Sequence, residues 1–158
     1  MTLTTHAVIG AAIGSLVGNP AIGFSIGLVS HLLVDMIPHG DNNLADKYRK
    51  EKKARLGIAY VTVDAVIAII LLMSVVSGRP TDTTTNIAFS AAVMGSILPD
   101  LLIGLKEIFP KNKPLRTIFK IHFFFHDCIS RRYGDTKLSY AIAGQTAFVL
   151  ALMYYIIP

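Results

Sequence analysis

Residues 56–78 read LGIAYVTVDAVIAIILLMSVVSG, an apolar run interrupted only by Asp64, and this stretch decides the fold class. It has the length and composition of a helix that crosses a bilayer. Its flanks orient it. Between His39 and Arg55 lie Lys47, Arg49, Lys50, Lys52, Lys53 and Arg55, whereas the segment Arg79–Thr85 beyond its far end carries a single basic residue. Basic residues collect in cytoplasmic loops, so the first flank is expected inside and the second outside.

Working outward in both directions gives the same division. Residues 86–109 return through the membrane, with Pro99 and Asp100 inside the run SILPDLLIG, and emerge at Lys106, Lys111, Lys113, Arg116 and Lys120. Residues 115–130, LRTIFKIHFFFHDCIS, are too short and too polar to cross, and basic residues flank them on both sides. They are expected to form a helix at the cytoplasmic interface. Residues 138–157 provide a last span. Upstream, residues 3–18 and 20–38 are two apolar runs broken at Asn19-Pro20, with Gly10, Gly14 and Gly18 in the first and Gly23 and Gly27 in the second. A spacing of four stacks those glycines on one helical face, where a neighbouring helix can approach closely. The first run reaches only about 24 Å, slightly short of a hydrocarbon core of about 30 Å.

The expectation is an all-α integral-membrane bundle of about five spanning helices plus one interfacial helix. Residues 1–158 form one domain, with the N-terminus cytoplasmic in the inner cell membrane. This arrangement puts every Lys and Arg except Arg79 on one side. Composition agrees: 53% of residues are hydrophobic and only 16% charged, against about 25% charged in a soluble domain. The net charge of +5 therefore reads as topology and attraction to anionic lipid, and nucleic acid is not an expected partner. The lone Cys128 excludes an intramolecular disulfide and a cysteine metal site. No cleavable signal peptide and no internal repeat are expected.

The ionisable residues inside these runs share one depth on this map. His6 lies near the cytoplasmic start of the first helix, and His31, Asp35 and His39 near the same end of the second. Asp64 and Asp100 lie about two turns in, and His122, His126 and Asp127 belong to the interfacial segment. A charge in hydrocarbon costs about 2.5–3.5 kcal/mol even on lenient scales, so embedded carboxylates need partners. The common partner that fits is a cation. His31 with Asp35, and His122 with His126, are i,i+4 pairs that aim two ligands at one point. Imidazole and carboxylate without thiolate favour zinc, or manganese and iron where oxygen donors dominate. With His6 and Asp100, six donors are available, enough for one or two divalent ions, and a binuclear site is suited to phosphoester hydrolysis. Plainer readings stand beside this one. The histidine pair on the interfacial segment can be the polar edge of an amphipathic anchor, and Asp100 can accept amide hydrogens freed near Pro99.

Three short motifs carry a resemblance. Thr5-His6 with Gly10, GLVSHLLVD containing His31 and Asp35, and GSILPDLL containing Asp100 resemble the small membrane-bound metal-dependent hydrolases of the bacterial inner membrane, a family distantly similar to the zinc-dependent phospholipase C helical fold. The resemblance implies metal binding at His6, His31, Asp35 and Asp100; His122 and His126 rest on spacing alone. The chain departs from the family pattern in three places. SHLLVD precedes LPDLL, Leu102 stands where a second Asp often follows, and HFFFHD at 122–127 replaces the family's HR segment. The function expected is hydrolysis of a phospholipid or other amphiphilic phosphoester at the cytoplasmic leaflet, with Asp127 or Asp64 as general base or as orienter of a ligand. Two other classes remain open: a transporter component relaying ions or protons, and a non-catalytic scaffold stapled by a metal.

Overall fold

The computed structural model describes residues 1–41, 54–78 and 83–157. The described residues form six helices and no strand: α1 (Leu3–Leu16), α2 (Pro20–Val34), α3 (Ala54–Ser77), α4 (Thr83–Ile108), α5 (Lys113–Tyr133) and α6 (Leu138–Ile156). Most of the basic loop 47–55 lies outside the described residues.

The helix starts are chemically marked. Thr2 caps α1 by accepting from the Thr5 amide, Asn19 caps α2 by accepting from the Ile22 amide, and Asn112 caps α5 by accepting from the Leu115 amide. Prolines at the first turns of α2 and α5 occupy positions whose N–H has no intrahelical partner.

α1 and α2 pack as a hairpin against α4, and glycines set how close they come. A Cβ on Gly10 would lie 2.7 Å from Cα of Val93, one on Gly14 would lie 2.6 Å from Cα of Phe89, and one on Gly27 would overlap the Ala92 carbonyl oxygen. Gly95 of α4 sits as tightly against the Phe24 backbone. Lipid tails are as apolar as the side chains, so close backbone approach and dispersion, more than water exclusion, drive such packing. α3 and α6 flank α1 on its other sides, and Val8, Ala11, Val75, Phe89, Val93, Val149 and Met153 make the apolar core. Outward-facing Ile69, Ile70, Met73 and Leu150 remain exposed, which suits a lipid environment.

The count of spans differs from expectation. Among the described residues three helices, Ala59–Ser77, Thr83–Ile108 and Leu138–Ile156, are long and apolar enough to cross a membrane, fewer than the five expected. α1 and α2 are apolar but have 14 and 15 residues, or about 21 and 23 Å, too little for a hydrocarbon core of about 30 Å. Asn19-Pro20 and the Asp35–Pro38 turn trim a few residues from each run. Sequence runs of 16 and 19 residues thus overstate both helices. α5 is amphipathic and is not among the candidate spans, in keeping with an interfacial helix.

Candidate metal centre

All five histidines and Asp35 meet at one end of the bundle, and each of these side chains is buried. α2 supplies the centre of the cluster through the same spacing that packs it. Gly23, Gly27, His31 and Asp35 recur every four residues, so the face that touches α4 through glycine continues into the face that presents a ligand pair. His6 comes from α1, Asp100 from α4, and His122 and His126 from one face of α5.

Asp35 stands between two groups of imidazoles. Its Oδ2 is 3.4 Å from Nε2 of His122 and 4.0 Å from Nε2 of His31, which in turn is 3.7 Å from Oδ1 of Asp100. Its Oδ1 is 3.3 Å from Nε2 of His6 and 3.8 Å from Nε2 of His39, and it also contacts the Met1 amine. Beyond His39 lies Asp41, with Oδ2 2.9 Å from Nε2 of His39 and Oδ1 3.2 Å from Nε2 of His126. The ligand atoms of His6, His31 and Asp100 lie within 4.8 Å of one another, as do those of His31, Asp35 and His122, and those of Asp35, His39 and His126. Two ligands that each sit about 2.1 Å from one ion are roughly 3–3.5 Å apart, so the cluster has nearly the spacing a divalent cation imposes.

The imidazole tautomers point the same way. Nδ1 of His31 is 2.7 Å from the Ser96 carbonyl oxygen, and Nδ1 of His39 is 2.7 Å from the Ile37 carbonyl oxygen. A carbonyl oxygen only accepts, so in both rings Nδ1 carries the hydrogen and the Nε2 lone pair faces the cluster whenever the ring is neutral. Nδ1 of His126 donates likewise to Asp127 at 2.8 Å, and Asp127 is held in turn by Arg131 at 2.8 Å. This is the arrangement in which outer carbonyl and carboxylate partners fix metal-ligating imidazoles. Among the buried side-chain atoms without a hydrogen-bond partner are Nε2 of His31, Oδ2 of Asp35 and Oδ1 of Asp41, together with Nδ1 of His6 and His122. Leaving such groups unpaired is costly, and a cation would satisfy Nε2 of His31 and Oδ2 of Asp35 together, since both belong to one group of ligand atoms. The residues therefore fit a divalent metal.

No family model, curated protein or solved structure matches this chain.

Electrostatics at the rim is dominated by Asp41 and α5. Burial works against a charged His126, but the hydrogen bond to Asp41 and the carboxylates of Asp35, Asp41 and Asp127 outweigh it and raise this imidazole to about 9. Burial also opposes charge on Asp41, yet hydrogen bonds from His126 and His39 pull its carboxyl well below the usual range. His122, where burial prevails, is pushed down. A proton on His126 and a cation in the cluster thus compete for one Nε2 lone pair.

The six residues expected as ligands, His6, His31, Asp35, Asp100, His122 and His126, are all brought together. Asp127 and Asp64, expected as general base or as orienter of a ligand, are not among the grouped ligand atoms. Asp127 lies behind His126, as an orienter would. Asp64 receives the Leu3 amide at 2.6 Å, the Thr4 amide at 3.3 Å and the Thr4 hydroxyl, so it caps the start of α1. His39 and Asp41 are members that helical spacing does not reveal, because both follow Pro38 in a turn. Gly40 makes that turn with φ +80°, a conformation that favours glycine, and its amide donates to Asp135 at 2.8 Å. The string PHGD two residues after SHLLVD was the available signal: a turn glycine between two metal-ligand residue types.

Proposed function

We propose that this chain is a membrane-embedded metal-dependent hydrolase that acts on a phospholipid or another amphiphilic phosphoester at the cytoplasmic leaflet. The observation that carries the reading is the convergence of five Nε2 atoms on Asp35 and Asp41, with outer partners holding the Nδ1 hydrogens of His31, His39 and His126 away from the centre. His6, His31, Asp100 and His122 with Asp35 would hold one cation. His39, Asp41 and His126 with the same carboxylate would hold a second. Zinc is the favoured ion for an imidazole-rich set, with manganese or iron next. Such ions supply Lewis acidity toward a phosphoester oxygen and toward water. The protein's part is to fix ligand direction: Ser96 and Ile37 through their carbonyls, Asp127 through its carboxylate, and the α2–α4 seam through the position of His31 itself. Lys106, Lys113, Arg131, Arg132 and Lys137 flank the donor end, which supports placing it, and the N-terminus, on the cytoplasmic side.

A second reading, a metal that staples the bundle without turnover, draws on the fact that the donors come from α1, α2, α4 and α5. Metal analysis of the chain purified in mild detergent, followed by assay on phospholipids and soluble phosphoesters, separates the two. The hydrolase reading expects bound zinc or manganese, lost in His31→Ala and His122→Ala together with turnover. Bound metal whose removal lowers the melting temperature, with no turnover on any phosphoester, favours the staple. Absence of bound metal after metal-replete purification overturns both.

A further inference from the structure

Beside the metal centre, the end of α2 with the turn after it, the start of α1 and one face of α6 line a cavity of about 380 Å³. Its apolar walls include Val34, Ile37, Tyr140, Gly144 and Phe148, and its polar lining includes His39, Met1, Thr5 and Gln145; Nε2 of His39 faces the Met1 amine, Asp35 and Asp41. The volume lies in the range of ligand pockets, about 300–1,000 Å³. Two facts select an occupant. α6 is one of the helices long and apolar enough to cross a membrane, and if it does so the open side of the cavity would face hydrocarbon. The apolar trough also reaches His39, whose Nε2 lies 3.8 Å from Asp35 and 2.9 Å from Asp41, so a molecule with a long chain at one end and an anionic phosphate at the other matches both ends. Gly144 keeps the trough open: a Cβ built there meets nothing within 4 Å, unlike the glycines of the α1–α2–α4 seam.

We propose that this groove receives the hydrocarbon chain of an amphiphilic phosphoester drawn from the bilayer, and that Gly144 determines how much chain it accepts. The proposal rests on the hydrolase reading for its substrate but not for its cavity. Because the space at Gly144 is empty, Gly144→Phe fills the groove without displacing backbone, and Gly144→Ala is the control that leaves it nearly open.

The test has two independent readouts on the full chain in detergent, loaded with metal. The first is release of nitrophenolate from ethyl, octyl and hexadecyl 4-nitrophenyl phosphate. Each buried methylene contributes roughly threefold to fourfold in affinity when transferred from water, and comparing variant with parent cancels the partition of the chain into detergent. Gly144→Phe is expected to lower the ratio of kcat/KM for the hexadecyl over the ethyl substrate by on the order of tenfold or more, and Gly144→Ala to shift that ratio far less. The second readout is photolabelling by hexadecyl phosphate with a terminal diazirine. Labels are expected within residues 34–38 and 140–148, and are lost in Gly144→Phe. A chain-length preference unchanged in Gly144→Phe, labels elsewhere, or equal labelling by neutral hexadecanol carrying the same diazirine overturns the groove and leaves the hydrolase standing. Labels in the groove that vanish in Gly144→Phe, without turnover of any substrate, retain the groove and overturn the hydrolase.

Discussion

Gly27 and Gly144 are both helix glycines in an apolar setting, and they mark opposite kinds of surface. The space beyond Gly27 is filled by the Ala92 carbonyl oxygen and the Ser96 amide nitrogen, whereas nothing lies within 4 Å of the space beyond Gly144. In the seam, glycine brings two backbones together and fixes the metal ligands one turn away. In the groove, glycine keeps a volume open. The same residue type thus serves rigidity on one side of the cluster and access on the other, and only the neighbours reveal which.

The largest expected effect breaks this comparison at the seam. Gly27→Leu forces α2 off α4, and because the obstructing atoms are backbone on both sides, no side chain can move aside to relieve it. Overpacking typically costs about 1–3 kcal/mol, and here it also displaces His31 from the Ser96 carbonyl. The expected outcome is loss of monodisperse protein on size-exclusion chromatography, or a melting temperature lowered by more than any other substitution considered. Gly144→Leu is expected to melt with the parent. Equal destabilisation by the two variants would mean that the seam and the groove do not differ as described.

Next in size is the centre itself. Asp35→Asn removes one carboxylate charge from a site that is within 4 Å of His6, His31, His39 and His122, while keeping the side-chain volume. It is expected to abolish tight metal retention, measured as bound metal per chain after dialysis, while far-ultraviolet circular dichroism stays helical. Retention of a full metal complement by this variant would show that Asp35 does not bridge the two groups of imidazoles.

How much of this was legible before the structure follows from the same contrast. Helical spacing exposes what helices carry, so the pairs His31 with Asp35 and His122 with His126 could be read directly, and depth in the membrane brought His6 and Asp100 to them. The turn Pro38–Asp41 has no period to read, which is why depth places His39 near the cluster without naming it a ligand and nothing singles out Asp41, although both complete the rim. Hydropathy also counted α1 and α2 as spans, because an apolar run does not say where a capped helix starts or where a turn ends it. Asp64 shows a related limit: depth places it level with the cluster, but depth does not give the direction of a side chain around its helix. It points at the amides of Leu3 and Thr4.

That limit gives the third prediction. Asp64→Ala leaves two α1 amides and the Thr4 hydroxyl without this acceptor, at about 1–3 kcal/mol for each buried group left unsatisfied. A lower melting temperature of the metal-free protein is expected, with metal affinity unchanged once the protein is folded. Calorimetry in detergent and a competitive chelator titration read the two quantities separately. A variant that lost metal affinity at unchanged stability would return Asp64 to the metal centre.

Asp127→Asn is the mirror case and the smallest effect expected. Asn keeps an oxygen that can accept from Nδ1 of His126, so the ring orientation survives. What is lost is the negative charge that makes His126 a better ligand, along with the Asp127–Arg131 pair, whose exposed arginine contributes little. Replacing such outer carboxylates typically weakens metal affinity by about 10–100-fold. The expectation is a shift at the low end of that range in the chelator titration, with the melting temperature of the metal-free protein unchanged. Read together, the two acids separate a residue that shapes the helix from one that tunes a ligand: one should move the melt and the other the affinity. A crossed result, with Asp127 governing the melt and Asp64 the affinity, would mean that the cluster is organised from α3 and not from α5.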